Sequence, residues 1–89
     1  MTRRQLQVLG RVQGVGFRWF ARELAESLGL SGWARNREDG SVELEAEGSA
    51  DALDEFARRL RTGCPSARVD EIVAVTVAPK GETRFEIRR

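Results

Sequence analysis

Gly10-Arg11-Val12-Gln13-Gly14-Val15-Gly16-Phe17-Arg18 reads as a strand that turns through glycines into a helix. Before the glycines, Leu6, Val8 and Val12 fall on one face of an alternating run, which predicts a strand over residues 4–12. After them, Phe17, Phe20, Ala21, Leu24, Ala25 and Leu28 recur at helical spacing, which predicts an amphipathic helix over 17–28. Glycine admits φ > 0 and the close approach of another group. A strand that turns directly into a helix start aims several backbone N–H donors at one point, and the helix dipole adds positive potential there. That combination suits a phosphate, and Arg18 adds a planar fork of donors one residue into the helix. The spacing is neither the Walker loop nor the dinucleotide fingerprint. Taken alone, the same stretch reads equally well as a structural turn followed by a solvated arginine.

Working outward, Gly29 sits where a left-handed helix C-cap belongs. Leu30–Arg37 reads as a second strand and Asp39-Gly40 as a turn. Val42, Leu44 and Ala46 then alternate with Glu43, Glu45 and Glu47, predicting a third strand with a buried face and an acidic outer face. Ser49 is placed to cap a second helix, whose buried stripe is Leu53, Phe56, Ala57 and Leu60. Asp54 with Arg58 and Glu55 with Arg59 are spaced as i,i+4 pairs on its solvated side. Gly63-Cys64-Pro65 ends this helix, residues 69–77 read as a fourth strand, Lys80-Gly81-Glu82 turns the chain, and Arg84–Arg88 form a short closing strand. The order βαββαβ plus a terminal strand is that of an α+β, ferredoxin-like sandwich. It predicts an antiparallel sheet in the order 4-1-3-2 with both helices on one face, and with Trp33 and Ala46 filling the space beneath them. Eighty-nine residues are expected to form a single domain, 1–89.

This topology makes strands one and two run the same way with strand three between them. The loop 13–18 and Asn36 then emerge at the same end of the sheet, two strand spacings or roughly 10 Å apart. An anion cradled by the loop faces Asn36. Asn36 also reads as an ordinary turn asparagine ahead of Asp39-Gly40. Ser41 either bonds the turn backbone or orients Asn36. Such a site holds one fixed cation, a set of N–H donors and a neutral amide, with no evident base or nucleophile. Glu38 and Asp39 read as solvated turn carboxylates, and a carboxylate beside a phosphate repels it. The chemistry that fits needs little proton transfer, as with an acyl phosphate, whose carboxylate leaving group has a conjugate acid of pKa about 4.

Composition narrows the alternatives. With fifteen basic and fourteen acidic residues the net charge is +1, so no long-range field for nucleic acid or an acidic membrane is implied. The expected outer face of the sheet offers Gln5, Gln7, Glu43, Glu45 and Glu47 rather than the stacking aromatics of RNA-binding sheets. There is no histidine, hence neither the commonest general base nor the commonest metal ligand. The one cysteine, Cys64, has no internal partner, which points to the cytoplasm, and neither a signal peptide nor a membrane span is visible.

Two motifs carry a resemblance to a known family. Gly10–Arg18 resembles the first signature of the acylphosphatases. Gly32-Trp33-Ala34-Arg35-Asn36-Arg37-Glu38-Asp39-Gly40-Ser41-Val42, followed by Gly48, resembles the second. They occur in the family's order and separation, and the similarity extends over nearly the whole chain. The resemblance implies hydrolysis of small acyl phosphates without metal or cofactor. It implies that Arg18 binds the phosphate with loop amides of Gly14, Val15, Gly16, Phe17 and Arg18, and that Asn36 orients the attacking water. Inorganic phosphate or sulfate is then expected to compete for the site, and the chain to act as a cytoplasmic monomer with no nucleic-acid or membrane partner. Arg37 departs from the pattern, standing where a small hydroxyl residue is often found. The other reading is a non-catalytic ferredoxin-like binding or accessory domain, since acylphosphatase-like domains also begin a large hydrogenase-maturation carbamoyltransferase. The short chain and the absence of zinc-binding cysteine pairs favour the stand-alone enzyme.

Overall fold

The computed structural model describes all 89 residues, arranged as β1 (Thr2–Arg11), α1 (Phe17–Ser27), β2 (Ser31–Asn36), β3 (Val42–Gly48), α2 (Ala50–Thr62), β4 (Arg68–Val77) and β5 (Phe85–Arg88). The strands form one sheet in the order β4-β1-β3-β2-β5. Register puts the apolar rows together: Leu6 lies opposite Leu44 and Val8 opposite Val42, while Ala34 flanks Leu44 from β2. Because side chains alternate across a strand, these residues share one face. Both helices cover that face, α1 over β2 and β5, α2 over β3 and β4. Phe17, Ala21, Leu24 and Ala25 from α1 and Leu53, Phe56 and Leu60 from α2 complete one buried cluster. The helix ends follow their local chemistry. Gly29 takes the left-handed conformation after α1, and the Ser49 hydroxyl accepts from the Ala52 amide at 3.1 Å to cap α2.

β5 departs from the antiparallel sheet expected: it runs parallel to β2. β4 occupies one edge, so residues 78–84 cross the sheet to reach the other. The chain reverses during that crossing, and β5 therefore points the same way as β2.

The acidic face of β3 is a second correction. Glu43, Glu45 and Glu47 are only 5%, 8% and 2% exposed. The crossing segment lies against them, since Glu47 accepts from the backbone N–H groups of Lys80 (2.7 Å) and Gly81 (3.0 Å). Arg3 of β1, with no exposed surface, contacts Glu45 at 2.6 Å, Glu47 at 3.2 Å and Glu82 at 2.8 Å. Burial pushes the Glu45 carboxyl up, but Arg3 and Lys80 outweigh it and hold it below the usual glutamate range. Glu47 is also held low, chiefly by the Lys80 N–H, with the Gly81 N–H and Arg3 adding to it against burial. For Arg3 burial opposes the charge, and the three carboxylates more than offset that, raising its pKa.

Trp33 lies on this same face and not beneath the helices. It pairs with Glu45, whereas its neighbour Ala34 joins the core. The guanidinium groups of Arg35 and Arg88 lie 5.3 and 5.1 Å from its ring centre, and they leave it 6% exposed. On α2 the Asp54–Arg58 pair does not form: Arg58 bonds Glu55, and Asp54 accepts from Arg4 of β1 at 2.7 Å.

Candidate active site

Between β1 and α1 the backbone turns through Gly14 (φ 74°) and Gly16 (φ 78°), both left-handed. A Cβ added at either meets nothing within 4 Å, so glycine supplies conformation here and not room. Gly16 is the N-cap of α1 and offers no capping side chain. The first bond of the helix runs from the Phe20 N–H to the Gly16 carbonyl, 3.0 Å. The N–H groups of Phe17, Arg18 and Trp19 therefore have no acceptor within the helix. The first turn also carries no acidic residue to neutralise the positive end of the dipole.

A cavity of about 180 Å³ opens at this turn and brings Gly14, Gly16, Phe17 and Arg18 together with Asn36. Val15 does not line it; its side chain packs against the core. Arg18 makes no ion pair, and one of its Nη atoms donates to the Arg88 carbonyl of β5 at 2.9 Å. This single bond holds the guanidinium at the cavity while leaving its charge uncompensated.

Asn36 is not part of the turn. It is the last residue of β2, opposite Val42. The reversal lies beyond it, closed by Arg37 N–H to Ser41 carbonyl (2.9 Å) and Gly40 N–H to Arg37 carbonyl (3.2 Å). The Asn36 Oδ1 is buried and has no hydrogen-bond partner. A buried acceptor of this kind costs on the order of 1–3 kcal/mol when unpaired, which marks it as a group whose partner is a ligand or water. Ser41 bonds within the turn: its hydroxyl (2.6 Å) and N–H (2.9 Å) both donate to Asp39 Oδ1. The Ser41 hydroxyl, with the Ser41 N–H and Arg37 behind it, holds the Asp39 carboxyl below its usual range.

Asn36 also borders a wider polar cleft of about 470 Å³, shared with Arg35, Arg37, Glu38, Asp39 and Arg89. Two carboxylates line that cleft, and its Arg35 and Arg37 are already paired with Glu43. The smaller cavity, with fixed main-chain donors and an unpaired guanidinium, is the better anion site.

Gln13 is a site residue that the sequence reading did not single out. Its Nε2 donates to the Arg37 carbonyl at 2.7 Å and to the Ser41 carbonyl at 2.9 Å. It ties the glycine turn to the β2–β3 turn, fixing the two halves of the cavity against each other. Nothing in the local pattern announces a side-chain amide that spans to carbonyls 24 and 28 residues away.

The family model described as Acylphosphatase matches residues 4–87. An acylphosphatase of Rhizorhabdus wittichii is 54% identical over 69 residues, which cover 78% of this chain and 70% of that protein. The crystal structure of acylphosphatase from Bacillus subtilis superposes with a TM-score of 0.97 at 40% identity, each chain fully covered. Full-length HypF, in its phosphate- and nucleotide-bound form, contains a region that matches 99% of this chain with a TM-score of 0.88 at 31% identity, and that region is 12% of HypF. The glycine turn, the unpaired arginine and the asparagine with its buried Oδ1 thus occur in a chain that matches one family in sequence and in fold over almost its entire length, and the chain belongs to the acylphosphatase family.

Proposed function

We propose that this chain hydrolyses the carboxyl–phosphate bond of small acyl phosphates, using the cavity between the glycine turn and Asn36. The observation that carries this reading is the meeting of an uncompensated Arg18 with a buried, partnerless Asn36 Oδ1 across one anion-sized cavity. The amides of the 14–18 turn and the Arg18 guanidinium bind the phosphoryl oxygens and stabilise the charge that spreads over them in the transition state. Asn36 Oδ1 accepts a hydrogen bond from water and orients it behind phosphorus. Water oxygen bonds to phosphorus as the acyl oxygen departs with the bonding electrons, and the proton passes to a phosphoryl oxygen. The products are a carboxylate and inorganic phosphate. The departing carboxylate is a weak base, so no general acid is required, and the cavity supplies none.

Cations and an N–H cradle bind anions, so inorganic phosphate or sulfate is expected to compete. The chain is expected to act as a monomer. The decisive experiment is hydrolysis of acetyl phosphate in EDTA, followed by release of inorganic phosphate. Turnover that resists EDTA and is inhibited competitively by phosphate supports the reading. Loss of activity restored by Mg²⁺ opposes it, and phosphate binding without turnover favours an accessory domain.

A further inference from the structure

A net charge of +1 conceals an uneven distribution. Five of the fifteen cationic side chains, Arg11, Arg18, Arg22, Arg61 and Arg89, make no ion pair. The topology puts all five at one end of the molecule. β1, β2 and β5 run the same way and finish at the end where α1 starts, and α2, which follows the oppositely directed β3, returns to it. Arg18 lines the cavity and Arg89 the adjoining cleft. Arg11 is the last residue of β1, next to Val12 of the cavity wall. The Arg22 guanidinium lies 4.3 Å from the ring centre of Trp19, another wall residue. Arg61 is in the last turn of α2, and a Cβ added at its C-cap, Gly63, would lie 2.6 Å from the Phe20 ring of α1. Among the carboxylates without an ion pair, Glu26 in the last turn of α1 and Asp51 in the first turn of α2 stand at the opposite end, and Glu23 lies midway along α1. Only Glu38, in the β2–β3 turn, and Glu71, in the first half of β4, share the end that holds the cavity. The molecule is thus an electric dipole whose positive pole is the anion cavity.

Local stability accounts for part of this pole. Arg61 complements the negative end of the α2 dipole, and Arg22 covers Trp19. It gives no reason for Arg11, which stands directly opposite Arg68 in the β1–β4 register, because like charges opposed across a ladder are unfavourable. Arg68 is offset by Asp70 at 3.0 Å, and Arg11 is left without a counter-ion. Resting on the proposed hydrolysis, we infer that Arg11, Arg22 and Arg61 are steering residues: their uncompensated charge draws anionic acyl phosphates to the Arg18 cradle without touching them, and so helps set kcat/KM. Charges at one pole raise the local concentration of an anion in a cleft of opposite sign. Such a field reaches about 30 Å at 0.01 M ionic strength and about 3 Å at 1 M, so its effect carries a salt signature.

The test follows acetyl phosphate turnover and inorganic phosphate binding by the full chain as salt is raised. Arg11→Glu and Arg61→Glu are each expected to lower kcat/KM about threefold near 0.01 M salt, with kcat unchanged. Phosphate affinity is expected to weaken by a similar factor, and both differences to close near 1 M salt. Arg84→Glu makes the same change in net charge at the start of β5, at the far end, and is expected to leave both quantities close to wild type. Wild-type kcat/KM at low salt in the two site-end variants, a loss that persists at high salt, or an equal loss in Arg84→Glu overturns the inference and leaves the hydrolysis standing. Phosphate binding that shows the expected salt signature without any turnover overturns the hydrolysis and leaves the field. A chain that neither turns over acetyl phosphate nor binds phosphate overturns both.

Discussion

Arg18 and Asn36 divide the work of the proposed site between charge and geometry, and the division can be measured. Arg18 is the one side-chain cation lining the cavity, and its only hydrogen bond is to the Arg88 carbonyl. Arg18→Ala is expected to reduce kcat/KM by about 10²–10³-fold or more and to weaken phosphate inhibition with it. Arg18→Lys recovers only part of this, because an ammonium lacks the planar fork that meets two oxygens and reaches the Arg88 carbonyl at once. Wild-type kinetics in either variant would remove Arg18 from the reaction. The proposed mechanism assigns Asn36 to the water and not to the phosphoryl group, so Asn36→Ala is expected to lower kcat about a hundredfold while phosphate inhibition changes little. Parallel loss of both would make Asn36 a binding residue. These two side chains were legible in the sequence because each stands next to an interruption of a regular pattern: Arg18 after the glycines, Asn36 before the Asp39-Gly40 turn. The exclusion of Asn36 from that turn was not, since it depends on which carbonyl closes the reversal.

Elements were legible wherever one period held. Alternation over β1 and β3 and the helical spacing of Phe17 to Leu28 and of Leu53 to Leu60 located the layers, because each of those stretches must bury one face. Alternation also separates Trp33 from Ala34, but it does not say which of two apolar neighbours faces the helices; pairing with Glu45 decides that. The direction of β5 was hidden for a different reason: it follows from where residues 78–84 cross, a property of no single segment. Gln13 belongs here too, because it acts between elements. Its two bonds to the Arg37 and Ser41 carbonyls set the distance from the cradle to Asn36. Gln13→Ala is expected to lower kcat about tenfold or more, since a displacement of around 1 Å in a reacting geometry has large effects. Stability falls by about 1–3 kcal/mol from two lost hydrogen bonds. Gln13→Glu does not repair kcat, as a carboxylate repels the two carbonyls it would face. Urea unfolding and steady-state kinetics on the same preparations separate the two effects, and an unaltered kcat in Gln13→Ala would deny the loop any dependence on this tie.

Across the whole molecule the two faces of the sheet are held by different forces. Helices and apolar side chains cover one, while the other is closed by a crossing segment anchored on ions. Arg3 sits at the centre of that closure with Glu45, Glu47 and Glu82 around it. Removing one partner of a buried ionic cluster costs about 3–5 kcal/mol, because the charges left behind stay out of water. Against a typical total of about 5–15 kcal/mol, that is a large share of the fold's stability. Arg3→Met keeps much of the side-chain volume and removes the charge, so it isolates the electrostatic effect. Its pH dependence carries the signature. In the wild type the Glu45 and Glu47 carboxyls are held below their ordinary values, so the folded state binds protons less readily than the unfolded one. Their contribution is complete above the unfolded pKa of about 4.3 and is lost as pH falls through the lower, folded values. In Arg3→Met the Glu45 carboxyl is left buried with only the peripheral Lys80 to balance it, and its folded value rises above the unfolded one, whereas Glu47 keeps the Lys80 and Gly81 N–H groups that chiefly hold it low. For Glu45 the sign then reverses: its contribution in the variant is lost as pH climbs from about 4 towards 7. Urea midpoints measured at pH 7 and near pH 4 are therefore expected to show a wide gap between wild type and variant at the higher pH and a narrow one at the lower. A gap of equal width at both would mean that Arg3 holds this face by packing its long stem, and that the carboxylates around it are neutral bystanders to folding.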